Sequence, residues 1–194
     1  MFPDFRVRQR DYLLEISKAL TQELDLDALL NMILKYAIEM LSGHAGLIAL
    51  RSEGKGWQIR VSEGISPDFL SHMEPFLKQI PDDQDPEKFE VPEVNRILNE
   101  ITFSATLGLL SGVGLPLVTQ KTVVGLIFIF RSYAGLFTSN DRALLNSFAN
   151  QAAVAVQNAQ LYAAVNRNKK RLDAIFDSAA DGILLLDSSQ IIEH

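Results

Sequence analysis

Side chains that could act as nucleophiles or hold a metal ion are scarce in this sequence. There is no cysteine, so disulfides, thiolate metal sites and cysteine nucleophiles are excluded. The three histidines are His44, His72 and His194, and no two of them have the spacing with which a helix presents metal ligands. His44 follows a predicted helix, where an interaction with the helix end is favoured over metal binding. We therefore predict no catalytic residue and no metal site in this chain.

Two other segments have compositions that also occur in active sites. Glycines are dense over residues 108–114, but no Gly-Lys-Ser/Thr follows them, so a bend before the next strand is favoured over a phosphate site. Carboxylates are dense over residues 82–85, but that segment is polar. Nothing in the sequence places these carboxylates in a dry cleft, where one would act as a general acid or base. Both segments are interpreted as structural.

The charge and hydropathy of the chain argue against two classes of partner. The net charge is −6 at pH 7, and the cluster of basic residues at 167–171 falls on a predicted helix, where a solvated face is favoured over nucleic-acid binding. The longest apolar run, Val123–Phe130, is far shorter than the ~20 residues of a membrane-spanning helix. No apolar segment of a signal peptide follows Met1. We expect no nucleic acid, no membrane segment within this chain and a cytoplasmic location, and we leave open a membrane segment upstream in a longer protein.

Periodicity predicts three helices in the N-terminal half. Residues 11–24 have apolar side chains at three- and four-residue steps, and residues 26–41 repeat this pattern behind Asp25, a residue type favoured as an N-cap. The segment 67–80 has the same spacing but contains Pro75, which should kink or divide the helix.

Four segments are predicted to be strands. Gly46–Arg51 is apolar, and Trp57–Ser62 alternates strictly between apolar and polar residues, so the two should form an antiparallel hairpin. Val113–Val118 and Val123–Arg131 form a second pair, and Pro116, which cannot donate to a ladder, places the first of them at a sheet edge or has its nitrogen turned outward from the ladder. The predicted fold class is α+β, an antiparallel sheet with helices packed on one face.

The C-terminal part of the chain predicts one long helix. Thr138 followed three positions later by Asp141 is typical of a helix start, and residues 140–175 contain no glycine or proline. The apolar stripe of this helix is predicted to be a homodimer seam, because the flanking helices are longer than one small sheet can cover. The stripe consists of Leu145, Phe148, Ala152, Ala155, Ala159 and Tyr162. Beyond it, apolar residues at 165, 172, 175 and 179 fit a heptad displaced by one residue. This displacement either allows two packings of a helix pair or belongs to a solvated linker.

The order and spacing of several motifs resemble the GAF domain family. They are Leu24–Leu30, Leu115–Leu117, Val124–Ile127, Phe137–Asp141, Leu144–Leu145 and Phe148–Tyr162. The resemblance covers about 20–162 and implies a GAF-like antiparallel sheet and ligand sensing. Family members that bind a bilin covalently use a cysteine, as do GAF-type methionine sulfoxide reductases, so neither chemistry is possible here. The signature of members that bind cyclic nucleotides is not found.

In GAF folds the ligand pocket lies between the sheet and the loops and short helices above it. Here those segments are 69–80 and 81–111, and the part over 81–100, with three prolines and seven acidic residues, is predicted to be a mobile loop. The resemblance therefore implies a site for a small ligand, with core packing as the alternative role of the phenylalanines. The candidate residues are Arg60, Phe69, Phe76, Phe89, Phe103, Thr106 and Ser111. The identity of a ligand or cofactor is left open.

A second resemblance begins near the C-terminus. Leu172, Ile175–Ser178, Asp181–Leu184 and Asp187 are similar to the opening of a PAS domain. We expect the chain to be a piece of a longer protein that ends within that domain. The predicted organisation is an N-terminal signalling helix over 1–19, a GAF domain over 20–162, a helical linker over 163–176 and the start of a PAS domain over 177–194.

These resemblances imply a sensory or regulatory module of a multidomain signalling protein. It would sense a small ligand or relay a conformational change through a dimeric helical linker. A GAF domain followed by a PAS domain implies, by family analogy, a histidine kinase as the output, with a diguanylate cyclase second. A purely structural GAF domain that only pairs two subunits is the alternative from another class. The chain itself is not expected to be an enzyme.

Overall fold

The computed structural model describes residues 3–21, 25–52, 54–80, 89, 91, 94–95, 98, 108–119 and 122–178. The elements are helices α1 (Pro3–Thr21) and α2 (Leu26–Met40), strands β1 (Ala45–Ser52) and β2 (Gly56–Glu63), helix α3 (Pro67–Gln79), strands β3 (Ser111–Val118) and β4 (Val123–Arg131), and helix α4 (Ser139–Ser178). The chain separates into two compact units, Met1–Gln157 and Asn158–His194. The first unit contains the four strands.

The strands form one antiparallel sheet with the order β2-β1-β4-β3. The predicted α+β class is confirmed, and Pro116 lies in β3, which is an edge strand of this sheet. Strand β4 lies between two neighbours and is buried along its whole length. Burial on both faces explains why Val123–Arg131 forms a nearly continuous apolar run rather than an alternating one.

Alternate residues of the sheet pack into two separate clusters. On one side, which we call the helix face, residues of α1, α2 and the first half of α4 cover Ile48, Ile127 and Ile129. On the opposite side, the aromatic face, residues of α3 cover Leu47 and Phe128. The period of two along each strand produces this division. Helices therefore lie on both faces, whereas the sequence analysis placed them on one.

The ladder between β1 and β2 contains an irregularity that strict alternation did not predict. Ile48 pairs with Val61, whereas Ala49 pairs with Ile59, so Arg60 has no partner in the ladder. An extra residue of this kind is a β-bulge, and it changes which face the following side chains reach. As a result Val61 packs in the helix face and Ile59 packs against the aromatic face.

The helix boundaries predicted from the sequence are confirmed only in part. Asp25 precedes α2, and its carbonyl oxygen accepts the first hydrogen bond of the helix from Leu29 N, but its side chain makes no capping hydrogen bond. Helix α3 begins behind Ser66, whose Oγ accepts a hydrogen bond from Phe69 N at 3.1 Å. It continues through Pro75 without division, because residues on both sides of the proline are buried and hold the helix in place.

The predicted start of the long helix is confirmed. Asp141 Oδ2 accepts a hydrogen bond from Thr138 N at 2.9 Å, and Thr138 Oγ1 accepts one from Asp141 N at 3.1 Å. This reciprocal arrangement satisfies two amide groups at the helix start. Residues 179–194, with the second half of the PAS-like motif, lie outside the described residues, as does most of the predicted loop over 81–100.

Candidate functional site

Aromatic rings from α3 and β4 meet on the aromatic face. The ring centroids of Phe69 and Phe130 lie 5.2 Å apart, and those of Phe76 and Phe128 lie 6.0 Å apart. Both pairs pack edge to face, with interplanar angles of 90° and 71°. This geometry places the positive edge of one ring against the negative face of the other.

Two glycines of β3 make room for these rings. A Cβ atom on Gly112 would lie 2.9 Å from Cδ1 of Phe130, and one on Gly114 would lie 2.6 Å from Cε1 of Phe128. The sequence analysis assigned these glycines to a bend, but they lie within β3. Gly108, with a φ of 83°, is the member of the group that lies in a turn.

Trp57 extends the aromatic cluster to strand β2. Its ring meets the Phe89 ring edge to face, with centroids 5.6 Å apart. Trp57 is 5% exposed, and its indole Nε1 has no hydrogen-bond partner among the residues that the structure describes. The indole N–H can only donate, so this buried position lacks an acceptor.

The candidate ligand residues fall into three groups. Phe69, Phe76 and Phe89 lie together on the aromatic face. Arg60 lies apart from them, because the bulge in β2 lets its Nε reach Asp27 Oδ1 of α2 at 2.5 Å. Ser111 Oγ is occupied by a hydrogen bond to the carbonyl oxygen of Tyr133 at 3.0 Å. The two remaining candidates, Phe103 and Thr106, lie outside the described residues.

The stripe predicted to be a dimer seam lies mostly inside the chain. Leu145, Phe148, Ala152 and Ala155, which we call the core stripe, are buried in the helix face together with residues of α1 and α2. Their surface is therefore not available to a second subunit. The two remaining residues of the predicted seam differ, since Ala159 is half-buried and Tyr162 is 61% exposed. The sequence pattern could not distinguish this packing from a dimer seam, because both require small and apolar residues at the same steps.

A different set of apolar side chains on α4 is exposed. These residues are 44–63% exposed and follow two sets of seven-residue steps. We call them the outer stripe: Val154, Leu161, Val165, Leu172 and Ile175. Asn158 and Asn168 occupy the remaining places of the two sets. The outer stripe follows a heptad repeat that is shifted by one residue along the sequence relative to the repeat of the core stripe.

Arg131 joins the end of α2 to the start of α4. It is 7% exposed, and its Nε and Nη2 donate to the carbonyl oxygen of Leu41 at 3.0 and 2.6 Å. Its guanidinium also lies 3.4 Å from Asp141 Oδ2 and 3.9 Å from the centroid of the Phe137 ring. One buried side chain thus satisfies a carbonyl at a helix end, pairs with a carboxylate and stacks on an aromatic ring.

A reciprocal pair of tyrosines joins α1 to α2. The rings of Tyr12 and Tyr36 stack with centroids 4.2 Å apart and an interplanar angle of 4°. Tyr12 donates from its hydroxyl to Glu39 of α2 at 2.6 Å, and Tyr36 donates to Glu15 of α1. The hydrogen bond to Glu15 raises the pKa of Tyr36 to about 12, and the bond to Glu39 raises the pKa of Tyr12 above its usual range.

We expect this pair to make the stability of the α1–α2 contact sensitive to alkaline pH. The folded-state pKa values lie above the ordinary value of about 10, so the hydrogen bonds contribute fully below that pH. Their contribution is lost as the pH rises toward about 12 for Tyr36. Between about pH 9 and 11.5, the free energy of unfolding of the wild type should therefore fall more steeply than that of a Tyr12→Phe/Tyr36→Phe variant.

Urea unfolding across this pH range would test the expectation. The exposed Tyr162, replaced by phenylalanine, provides a matched control that should keep the slope of the wild type. Equal slopes in the wild type and the double variant would contradict it.

Neither a metal centre nor a membrane span is found in the part of the chain that the structure describes. Among these residues no cluster of three or more histidine, aspartate or glutamate side chains could hold a metal ion. No described helix combines the length and apolarity needed to cross a bilayer.

A comparison with known protein families identifies the family to which this chain belongs. The model of the GAF domain matches residues 25–156. The chain belongs to the GAF domain family. GAF domains are regulatory modules typical of sensory signalling proteins rather than catalysts. No curated protein matches the chain by sequence.

Solved GAF domains share the fold at low sequence identity. One, from a protein assigned as a sensor histidine kinase of Pseudomonas syringae pv. tomato, is 21% identical, with a TM-score of 0.59 over 84% of this chain and 94% of that one. The GAF domain of an Acinetobacter phosphoenolpyruvate-protein phosphotransferase is 16% identical, with a TM-score of 0.54 and coverages of 83% and 97%. A phycoerythrobilin-bound GAF domain of a cyanobacterial phytochrome is 14% identical, with a TM-score of 0.56 and coverages of 79% and 96%.

Sequence reasoning missed two residues with special roles in this GAF domain. Trp57 was assigned only to an alternating strand, although it is the one tryptophan of the chain. Arg131 was placed only at the end of an apolar strand, and an arginine closing such a run was a signal that it is buried with partners.

Proposed function

We propose that this GAF domain is a sensory module that binds a small ligand on its aromatic face and relays the bound state through paired α4 helices to a downstream output domain. The observation that carries the proposal is the double use of α4, a helix of 40 residues. Its core stripe is buried within the chain, and its outer stripe is exposed. Such a helix can pack on its own domain through the core stripe and on a partner helix through the outer stripe.

The link to the sensing end runs through two elements. Strand β4 contributes Phe128 and Phe130 to the aromatic face and ends at Arg131, which contacts Leu41 and Asp141. A displacement of β4 on ligand binding would therefore act on the start of α4. The proposed relay is a small shift of a packed helix, one of the known forms of switching in proteins.

The occupant proposed for the outer stripe is the same stripe of a second copy. Its apolar residues recur at heptad steps, and a stripe of this kind buries itself in a two-helix coiled coil. Asn158 and Asn168 would lie within the seam, where a polar residue favours one register and one number of helices over others. The proposal therefore retains the homodimer predicted from the sequence, but with the outer stripe as its interface in place of the stripe from Leu145 to Tyr162.

Charges introduced into the outer stripe are expected to separate the subunits. Each Leu or Val buried in the seam contributes about 1.5–3 kcal/mol, so Leu161→Glu with Val165→Glu should raise the dissociation constant of the dimer by about a hundredfold or more. Light scattering after gel filtration at tens of micromolar would measure the mass. The double variant should be a monomer and the wild type a dimer.

The matched control adds the same charge elsewhere on α4. Gln160 and Ala174 are exposed and lie outside the outer stripe, so Gln160→Glu with Ala174→Glu should remain dimeric. A monomeric wild type, or a dimer that survives in both variants, would contradict the proposed seam.

For the output we propose a histidine kinase, downstream of a PAS domain that begins near residue 177. Support comes from fold analogy, since two of the similar structures are from proteins assigned as sensor histidine kinases. The similar structures also include GAF domains of phosphoenolpyruvate-protein phosphotransferases, so fold likeness alone does not select the output.

A purely structural GAF domain is the competing function. It is favoured by the close packing of Phe69 on Phe130 and of Phe76 on Phe128, which fill much of the aromatic face with the chain's own rings. The two functions differ in a thermal-shift experiment, because a ligand at a hundred times its dissociation constant stabilises the folded state by about 2.7 kcal/mol. A structural domain would show no such shift with any ligand.

A further inference from the structure

We propose that Trp57 is the hydrogen-bond donor of the ligand site, and that the ligand is an uncharged aromatic compound with a hydrogen-bond acceptor. The inference rests on the proposed sensory function and specifies the chemistry of its site. Three observations carry it: a buried donor without an acceptor, an aromatic surrounding, and the absence of buried charge among the described residues of this face.

The first observation is the indole N–H of Trp57. Trp57 is 5% exposed, and no described residue accepts a hydrogen bond from its Nε1. Leaving a buried donor unsatisfied costs about 1–3 kcal/mol, and the large majority of buried side-chain polar atoms have a partner. A ligand that brings an acceptor to this position would recover that cost on binding.

The second observation is the surface around this donor. Phe89 meets the Trp57 ring edge to face and is only half-buried, and Ile59 on the same strand is partly buried as well. Rings at an edge-to-face angle present both an apolar wall and a preferred orientation to another ring. A flat aromatic ligand therefore suits this position better than a branched polar one.

The third observation concerns charge. Among the described residues the buried polar and charged side chains are Ser111 and Arg131, and each lies two positions from a strand residue that packs in the helix face, Val113 and Ile129 respectively. Arg51 lies opposite Trp57 in the ladder, but it already takes part in an interaction within the chain. Burying an ion without a counter-charge is far more costly than burying a hydrogen-bonded neutral group. These conditions select an uncharged ligand.

The single tryptophan of the chain makes the test direct. In the ¹⁵N-labelled 194-residue chain, the indole N–H of Trp57 gives one resonance that can be followed during titration. The probes are acetophenone, which has a carbonyl acceptor, ethylbenzene, which has a similar shape and no acceptor, and benzoate, which carries a charge. We expect acetophenone to shift the indole proton downfield and to bind about tenfold more tightly than ethylbenzene, the ratio for one hydrogen bond. Benzoate should bind more weakly than acetophenone.

A variant separates the donor from the aromatic body. Trp57→Phe keeps a ring at this position and removes the N–H, so acetophenone and ethylbenzene should bind to it with affinities within about twofold of each other, as measured by ligand-observed saturation transfer. Tyr162→Phe, at an exposed position of α4 outside the outer stripe, is the control and should keep the tenfold preference.

Several results would overturn the inference. These are equal affinities of acetophenone and ethylbenzene for the wild type, no binding of either probe, or tighter binding of benzoate than of acetophenone. An indole proton that already resonates as far downfield in the free protein as with acetophenone bound would also overturn it, because the chain would then supply the acceptor itself. Each of these failures leaves the oligomer measurement on the outer stripe intact, so it can be distinguished from failure of the proposed function.

Discussion

Replacing Arg131 with methionine is expected to lower the free energy of unfolding by about 3–5 kcal/mol. The variant keeps much of the side-chain volume but leaves the carbonyl oxygen of Leu41 and the carboxylate of Asp141 without the donor they share. It also removes the cation from the face of Phe137. The stability of Arg131→Lys should lie between that of the wild type and that of Arg131→Met. Its ammonium group keeps the charge and can donate, but it lacks the planar fork that binds the carbonyl of Leu41 through two N–H groups and the flat face that stacks on Phe137.

Arg60 provides the matched control for this experiment. It pairs with Asp27 at 2.5 Å, but the two side chains are 51% and 40% exposed. An exposed pair contributes at most about 1 kcal/mol, so Arg60→Met should change stability little. Urea unfolding of the three variants beside the wild type measures the difference. Similar losses for Arg131→Met and Arg60→Met would show that Arg131 does not hold the ends of α2 and α4 together.

Replacing Phe148 with alanine is expected to cost about 3–5 kcal/mol as well, for a different reason. Phe148 is fully buried in the core stripe, so the change leaves a cavity between α4 and the sheet. Because this contact lies within one chain, the loss should not depend on protein concentration. A dimer seam would behave otherwise, since its contribution to stability grows with concentration.

Leu161→Ala is the counterpart on the outer stripe. Leu161 is 58% exposed, so its truncation should leave the unfolding of the dilute protein nearly unchanged and weaken only self-association. Unfolding curves at two protein concentrations, a hundredfold apart, distinguish the two stripes. A loss below about 1 kcal/mol for Phe148→Ala would show that the core stripe is not packed as described.

The parts of the fold that depend on local chemistry could be predicted from the sequence. The capping pair of Thr138 and Asp141 and the edge position of Pro116 follow from hydrogen bonds that a residue type can or cannot make. It was harder to predict from the sequence which face of each helix or strand is buried against which neighbour. The alternation of apolar and polar residues in β2 does not predict the bulge at Arg60, because a bulge depends on pairing with a neighbouring strand.

The candidate site shows the same division. The phenylalanines of α3 follow from helical spacing, and the structure brings Phe69 and Phe76 together on the aromatic face. The sequence predicts Ser111 and Arg60 as pocket residues because a ligand pocket needs polar groups, but each side chain forms a hydrogen bond elsewhere. Partners of that kind lie 22 and 33 positions away in sequence, beyond the reach of any local pattern.

The bare backbone of β3 on the aromatic face has a consequence for how this sequence can evolve. The ring of Phe128 occupies the volume that a side chain at position 114 would need, at 2.6 Å from the missing Cβ atom. A larger residue at position 114 alone would therefore clash with the ring of Phe128, and a smaller residue at position 128 alone would leave a void. We expect GAF sequences related to this one to exchange volume between the two sites, with a larger residue at 114 accompanied by a smaller one at 128.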